Sequence, residues 1–264
     1  MKGKFAVRFG ALGYLALLLL LPIALVVWRT FEHGLKPVID TLTSPAAVHA
    51  FWLTMLMAAV AVPLNTLFGV ACAYTLVRRR FRGRSVLSVI VDLPFAVSPV
   101  VLGLALYALY GRTGWLGPWL SEHGLQVIFS IPGMILATVF ASLPFVVREV
   151  VPVLQEIGTD QEQASSTLGA SGRQTFLRIT LPAIRWGIAY GVVLTTARAL
   201  GEFGAVSVVS GNLIGQTQTL PLYVENRYDN FDLSGAYTAS FLLAAIAVIV
   251  LLLMTRLNRS KETK

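Results

Sequence analysis

Six long apolar stretches, approximately 11–28, 51–77, 86–110, 127–147, 186–209 and 236–254, alternate with polar segments along this chain of 264 residues. Each is near or above the roughly 20 residues that a helix needs to cross a bilayer core, so the pattern predicts six transmembrane helices. The second, fourth and sixth stretches contain no charged residue, whereas the third carries Asp92 and the fifth carries Arg198 and Glu202. The first is followed by Trp28 and Arg29, an interfacial anchor pair. Basic Lys2, Lys4 and Arg8 precede it, as in a signal peptide, but no small-x-small cleavage site follows Leu20–Leu25, and an uncleaved first span is expected. Pro63, Pro94, Pro99, Pro132 and Pro144 and the pair Gly187/Gly191 fall within the apolar stretches, as is ordinary where helices kink or pack closely in lipid.

Composition agrees with this pattern. Only 13% of residues are charged and 56% are hydrophobic, against about 25% charged in soluble domains. The net charge of +8 raises the question of nucleic-acid binding, but no basic stripe interleaved with aromatics lies on a soluble domain, so no nucleic acid is expected. Instead the basic residues sort by side. Segments 1–10, 78–85, 148–185 and 255–264 hold 16 Lys and Arg, and the alternate segments 29–50, 111–126 and 210–235 hold four. The positive-inside rule then places both termini in the cytoplasm and makes the cluster Arg78-Arg79-Arg80 with Arg82 and Arg84 a cytoplasmic turn. Cys72 lies in an apolar run and reads as a packing residue. His33, His49 and His123 are scattered without metal-ligand spacing, so no metal is expected. No internal repeat, low-complexity tract or soluble domain is visible, which leaves 1–264 as a single membrane domain.

The longest cytoplasmic segment, 148–185, predicts two short helices joined at a glycine over 158–182. Thr159 with Glu162 fits a capping box, and Ser171 with Gln174 fits a second. Ala164 and Leu168 share a face, Gly169 falls where a left-handed C-cap ends a helix, and Leu181-Pro182 closes the unit. Such a hairpin either packs back on its own bundle or is covered by a partner.

The spacing Gln163-Ala164-Ser165-x3-Gly169-x9-Ile179-x-Leu181-Pro182 resembles the EAA loop, Glu-Ala-Ala-x3-Gly-x9-Ile-x-Leu-Pro, of ABC importer permeases. Gln163, preceded by Glu162, stands where the pattern has Glu, and Ser165 stands where it has the second Ala. The run Ala197–Gly211 resembles the fifth span of sulfate and molybdate permeases, and Thr217–Glu225 is similar to the W-type permease family of sulfate/thiosulfate importers. The likeness covers nearly the whole chain and is most specific over 160–232. It implies an all-α, polytopic bundle of the type I importer permease fold in a bacterial inner membrane, carrying sulfate and thiosulfate, with molybdate or tungstate as the near alternative. The loop is then the coupling helix, with Glu162, Gln163, Ala164, Ser165, Gly169, Ile179, Leu181 and Pro182 facing the ATPase. The implied partners are a T-type permease, two ATP-binding subunits and an extracytoplasmic sulfate-binding protein. ATP would bind on those subunits, since this chain has no Gly-x4-Gly-Lys-Ser/Thr, and no cofactor of its own is implied.

Arg198 and Glu202 lie at i, i+4 and share a helical face. A charge at the bilayer centre costs on the order of 3 kcal/mol, so both are expected to face protein or water, either as a structural ion pair or with Arg198 in an anion pathway, where Gly201 and Gly204 allow close backbone approach. Asp92 either caps a broken helix or pairs with a basic loop residue. The segment 210–235, with Glu225, Arg227, Asp229 and Asp232, is either a docking face for the binding protein or a plain solvated loop. Rival classes are an intramembrane enzyme, for which no Ser/His pair, HExxH or paired carboxylates stand at matching depth, and an ion-coupled carrier or channel, which the EAA-type loop and the lack of inverted repeats disfavour.

Overall fold

The computed structural model describes residues 2–259, with side chains described from 12 to 250 and at 252. The terminal basic residues Lys2, Lys4, Arg8, Arg256, Arg259, Lys261 and Lys264 lie outside the described side chains. Every regular element among the described residues is helical, which keeps backbone hydrogen bonding within each segment, as a lipid solvent demands. The chain opens with α1 (Lys2–Phe31), the short α2 (Leu35–Thr43) and the long α3 (Pro45–Arg78). Ser44 caps α3 by accepting the Ala47 N–H at 3.3 Å.

The third apolar stretch is not one straight helix. It divides into α4 (Arg84–Ala96) and α5 (Pro99–Tyr110), bent by 116°. Ser98 takes a ψ of 137° because the residue before a proline is pushed out of the helical region, and Val97 beside it is extended as well, with the same ψ. After the small α6 (Gly117–Glu122), the fourth stretch forms α7 (Ile131–Ser142) and α8 (Pro144–Ile157). This helix runs ten residues past the expected boundary at 147, since Arg148 and Glu149 end the apolar run without breaking the helix. Short helices α9 (Asp160–Thr167), α10 (Gly172–Thr175) and α11 (Leu181–Ala183), with a π-helical turn over Phe176–Thr180, lead into α12 (Arg185–Leu200). The fifth stretch breaks too: α13 (Gly204–Ser210) follows after a three-residue interruption. Then come α14 (Leu220–Asp229) and α15 (Leu233–Arg259). Among the described residues four helical runs are long and apolar enough to cross a membrane, and six if each of two bent pairs counts as one crossing, α4 with α5 and Gly172–Ala183 with α12, the latter bent by 67°.

Helix α8 lies at the centre, packed against both α3 and α12. Glycines permit this approach. A Cβ on Gly69 of α3 would stand 2.7 Å from the Val146 Cβ, one on Gly191 of α12 2.7 Å from the Val146 Cα, and one on Gly187 2.9 Å from the Glu149 carbonyl. Polar side chains add to the seam: the wholly buried Asn65 donates to the Val139 carbonyl at 3.0 Å and to Ser142 Oγ at 2.8 Å. At the other end, α5 and α13 meet through Gly103, where a Cβ would lie 2.8 Å from the Ala205 carbonyl. Helix α1 stays peripheral. It touches the bundle near its end, where Thr30 donates to the Tyr237 carbonyl at 3.1 Å and Phe31 meets Phe241 edge-on, while Leu12–Leu21 remains exposed.

Replacing Gly191 with Leu should overpack the seam and destabilise the fold by about 1–3 kcal/mol, seen as a lower thermal unfolding midpoint in detergent. Gly13→Leu, at a position with no neighbour within 4 Å, should leave the midpoint unchanged.

Candidate functional site

The described residues present two constructions whose side chains are not explained by packing alone. The first is the hairpin over 158–182. Gly158 (φ 68°) turns the chain out of α8 and Gly169 (φ 82°) turns it between the arms. Both are conformations that only glycine takes without strain. At Gly169 the N–H reaches the Ser166 carbonyl at 3.0 Å and the Ala170 N–H reaches the Ser165 carbonyl at 3.2 Å, which closes α9. Ser171 and Gln174 form the expected capping box at the start of α10.

The Thr159/Glu162 box does not form. Thr159 Oγ1 instead accepts from Gln163 Nε2 at 3.0 Å, and the Glu162 carboxylate turns inward to a stronger partner. Arg78, the last residue of α3, donates Nε to both Glu162 oxygens at 3.1 and 2.9 Å, Nη1 to the Leu154 carbonyl at 3.0 Å and Nη2 to the Gly158 carbonyl at 2.6 Å. Thr180 in the second arm donates to Glu162 Oε1 at 2.9 Å. Ser165 and Thr175 join the arms by a hydroxyl contact of 3.0 Å, and Phe176 meets Tyr74 edge-on at 5.5 Å. Facing away from the bundle are Gln163, Ala164 and Leu168, with Leu168 88% exposed. A groove of about 480 Å³, lined by Gln161, Ala164, Leu168, Gln174, Arg178 and Ile179 among others, opens between the arms. Leu181 is half-buried and Pro182 exposed where the second arm enters α12.

The second construction is the break between α12 and α13. Arg198 Nη1 stands 2.6 Å from Glu202 Oε2, with the Glu202 side chain 1% and the Arg198 side chain 28% exposed. Glu202 Oε1 also accepts the Ala205 N–H at 2.9 Å, so it caps the start of α13. Gly204 lies against α5, where a Cβ would come 2.9 Å from Pro99 Cβ, while Gly201 is exposed. Glu202 therefore serves the helix break, a role sharper than the charge pairing read from the i, i+4 spacing. Asp92 does not cap the α4–α5 break. It pairs with Arg148 of α8 at 2.6 Å, with side chains 30% and 59% exposed. The hairpin and the break lie at opposite ends of α12, which at 16 residues spans about 24 Å. The two constructions thus do not form a common site.

Arg78 and Thr180 were missed by sequence reasoning. Arg78 hid within a run of arginines, 84 residues from its acidic partner, and the only cue was a carboxylate displaced by one position from the motif's Glu. In 210–235, Arg227 pairs with Asp232 at 2.9 Å and lies over the Tyr223 ring, and Asp232 accepts the Gly235 N–H at 3.0 Å at the start of α15. Burial, and then the neighbouring Asp229 carboxylate, raise the Glu225 carboxyl above its usual range.

Comparison with known proteins places these features in context. Residues 65–262 match the model of the family described as binding-protein-dependent transport system inner membrane component. The chain is 53% identical to the sulfate transport system permease protein CysW of Synechococcus elongatus, over 94% of this chain and 87% of that one. It is 37% identical to the sulfate transport system permease protein CysT of Escherichia coli, over 94% of this chain and 90% of that one. Among solved structures it resembles a bacterial alginate ABC transporter crystallised in complex with an alginate pentasaccharide-bound periplasmic protein. There the TM-score is 0.82 at 18% identity, covering 97% of this chain and 94% of that one, a likeness of fold.

Removing one member of a buried ion pair costs about 3–5 kcal/mol, because the other charge is stranded. Arg198→Ala or Glu202→Ala should each lower the yield and unfolding midpoint of the purified chain accordingly. The double change Arg198→Met with Glu202→Gln, whose amide still accepts the Ala205 N–H, should recover most of both. A double variant no better than the singles would show that the pair is not the stabilising unit.

Proposed function

We propose that this chain, which belongs to the binding-protein-dependent transport system inner membrane component family, is the permease subunit that carries sulfate, with thiosulfate as a second substrate, in an ATP-driven importer. The observation carrying this reading is the 53% identity to a sulfate transport permease over nearly the whole chain, joined to a hairpin whose outward face, with Gln163, Ala164 and Leu168, is exposed. The chain contributes passage, not hydrolysis: ATP would be held by two partner subunits, whose groove would receive Gln163, Ala164 and Leu168 of the hairpin. A T-type permease, of the kind 37% identical to this chain, would supply the other half of the pathway. An extracytoplasmic binding protein would deliver the anion to the side bearing 210–235. In this arrangement Arg198 keeps the α12–α13 break together, and its partly exposed guanidinium borders the pathway.

Reconstitution with those partners in liposomes tests the reading. ATP-dependent uptake of sulfate is expected to exceed that of molybdate, and a complex that takes up molybdate but not sulfate would move the assignment to the near alternative.

Orientation has its own test. With both termini and 148–185 in the cytoplasm, a cysteine at position 173 in a Cys72→Ser background should resist an impermeant maleimide in intact cells, and one at position 229 should react. External labelling at 173 would overturn the topology.

A further inference from the structure

We infer that Arg78 is the positioning residue that binds the cytoplasmic hairpin to the ends of α3 and α8, so that these three parts move as one body when the hairpin is pushed. The inference rests on the permease reading above and assigns the residue through which force applied at the hairpin enters the membrane helices.

All three guanidinium nitrogens are engaged, on three different parts of the chain. Nε holds both oxygens of Glu162 in α9, Nη1 holds the Leu154 carbonyl and Nη2 the Gly158 carbonyl. Those two carbonyls belong to the last turn of α8 and the residue just past it, where helix carbonyls lack internal partners and a cation complements the helix dipole. The Glu162 carboxylate carries the connection onward to Thr180 in the second arm. The Arg78 side chain is only 8% exposed and that of Glu162 17%. Arg80, two residues on, is exposed. The arginine cluster is therefore not a uniform solvated face: one member has been drawn inward. A lysine could not replace it, since a single ammonium lacks the planar fork that reaches a carboxylate and two carbonyls together. Beyond the clamp, α3 and α8 are already locked at Gly69 and Val146, so displacement of the hairpin cannot be absorbed at its root. Without Arg78, Gly158 with its positive φ becomes a free hinge.

The experiment compares Arg78→Gln, Arg78→Lys, Glu162→Gln and Arg80→Gln in the complex reconstituted with its partner permease, ATPase subunits and binding protein. Uptake and ATP hydrolysis are measured together, with whichever of sulfate, thiosulfate and molybdate the wild type carries. Arg78→Gln and Arg78→Lys should lower the anion taken up per ATP by about tenfold, within the usual range of inter-site coupling. Glu162→Gln should lower it less, and Arg80→Gln should match wild type. Uptake and hydrolysis falling in proportion, or an unchanged ratio, would overturn the inference. If Arg78→Gln does not assemble, Glu162→Gln carries the same test, since it keeps both carbonyl bonds. Spin labels at positions 80 and 168, in a Cys72→Ser background, read the clamp in the purified chain even if the complex transports none of these anions, an outcome that would fail the permease reading alone. Their distance distribution should broaden in Arg78→Gln, and one that stays as narrow as wild type would also overturn the inference.

Discussion

Helix α8 can be where it is only because α3 and α12 offer it glycines. Between helices in lipid there is little hydrophobic drive, so association depends on close van der Waals contact and on polar bonds. Gly69, Gly187 and Gly191 let the backbone of α8 approach to distances at which a Cβ could not fit. Asn65 completes the seam with bonds to Val139 and Ser142 in the preceding α7. This packing carries α8 past the apolar stretch as an intact helix. Its terminal carbonyls then arrive beside the last residue of α3, and the hairpin springs from that junction.

What the sequence made legible follows from which forces are local. The apolar stretches were readable because the bilayer imposes length and polarity on every span. Gly169 was readable because a positive φ between two short helices selects one residue type. The limits of the α4–α5 and α12–α13 breaks were not, because apolar residues continue through both and hydropathy reports the surroundings of a helix but not its straightness. For the same reason the apolar run and α8 do not end together: Arg148 marks where apolar character stops, while the helix ends only at Ile157. The Thr159 box failed because a capping hydrogen bond is a local gain of about 1 kcal/mol, and Glu162 had access to a charged fork from a distant helix. Bonds between residues 84 positions apart leave no period in the sequence.

Three of the ion pairs among the described residues differ in what surrounds them, and this separates their roles. Arg148–Asp92 links α4 to α8 with Arg148 59% exposed, so it is worth at most about 1 kcal/mol. Helix α4, itself mostly exposed, is thus lightly held on that side. Arg78–Glu162 is sheltered and its hydrogen-bonding capacity is used by helix ends and a threonine, the condition under which burying charge is tolerated. It is a joint built to stay closed. Of the two, the pair between α4 and α8 is the one that a small displacement can part.

Arg198–Glu202 belongs to neither kind. A carboxylate 1% exposed inside an apolar stretch is costly unless something there requires an anion. The break in the helix provides that requirement, since an interrupted span leaves amide N–H groups at the start of α13 without partners. Glu202 takes one of them, from Ala205, and Arg198 neutralises the charge that does so. Break and ion pair therefore explain each other: without the interruption the carboxylate has no backbone to satisfy, and without the carboxylate α13 would begin with an orphaned donor at the wholly buried Ala205. Gly204 and Gly103 then let this short helix seat against α5, which sets the fifth stretch's kink against the third's. The bundle thus has one firmly fastened end, at the hairpin, and two broken helices meeting at the other.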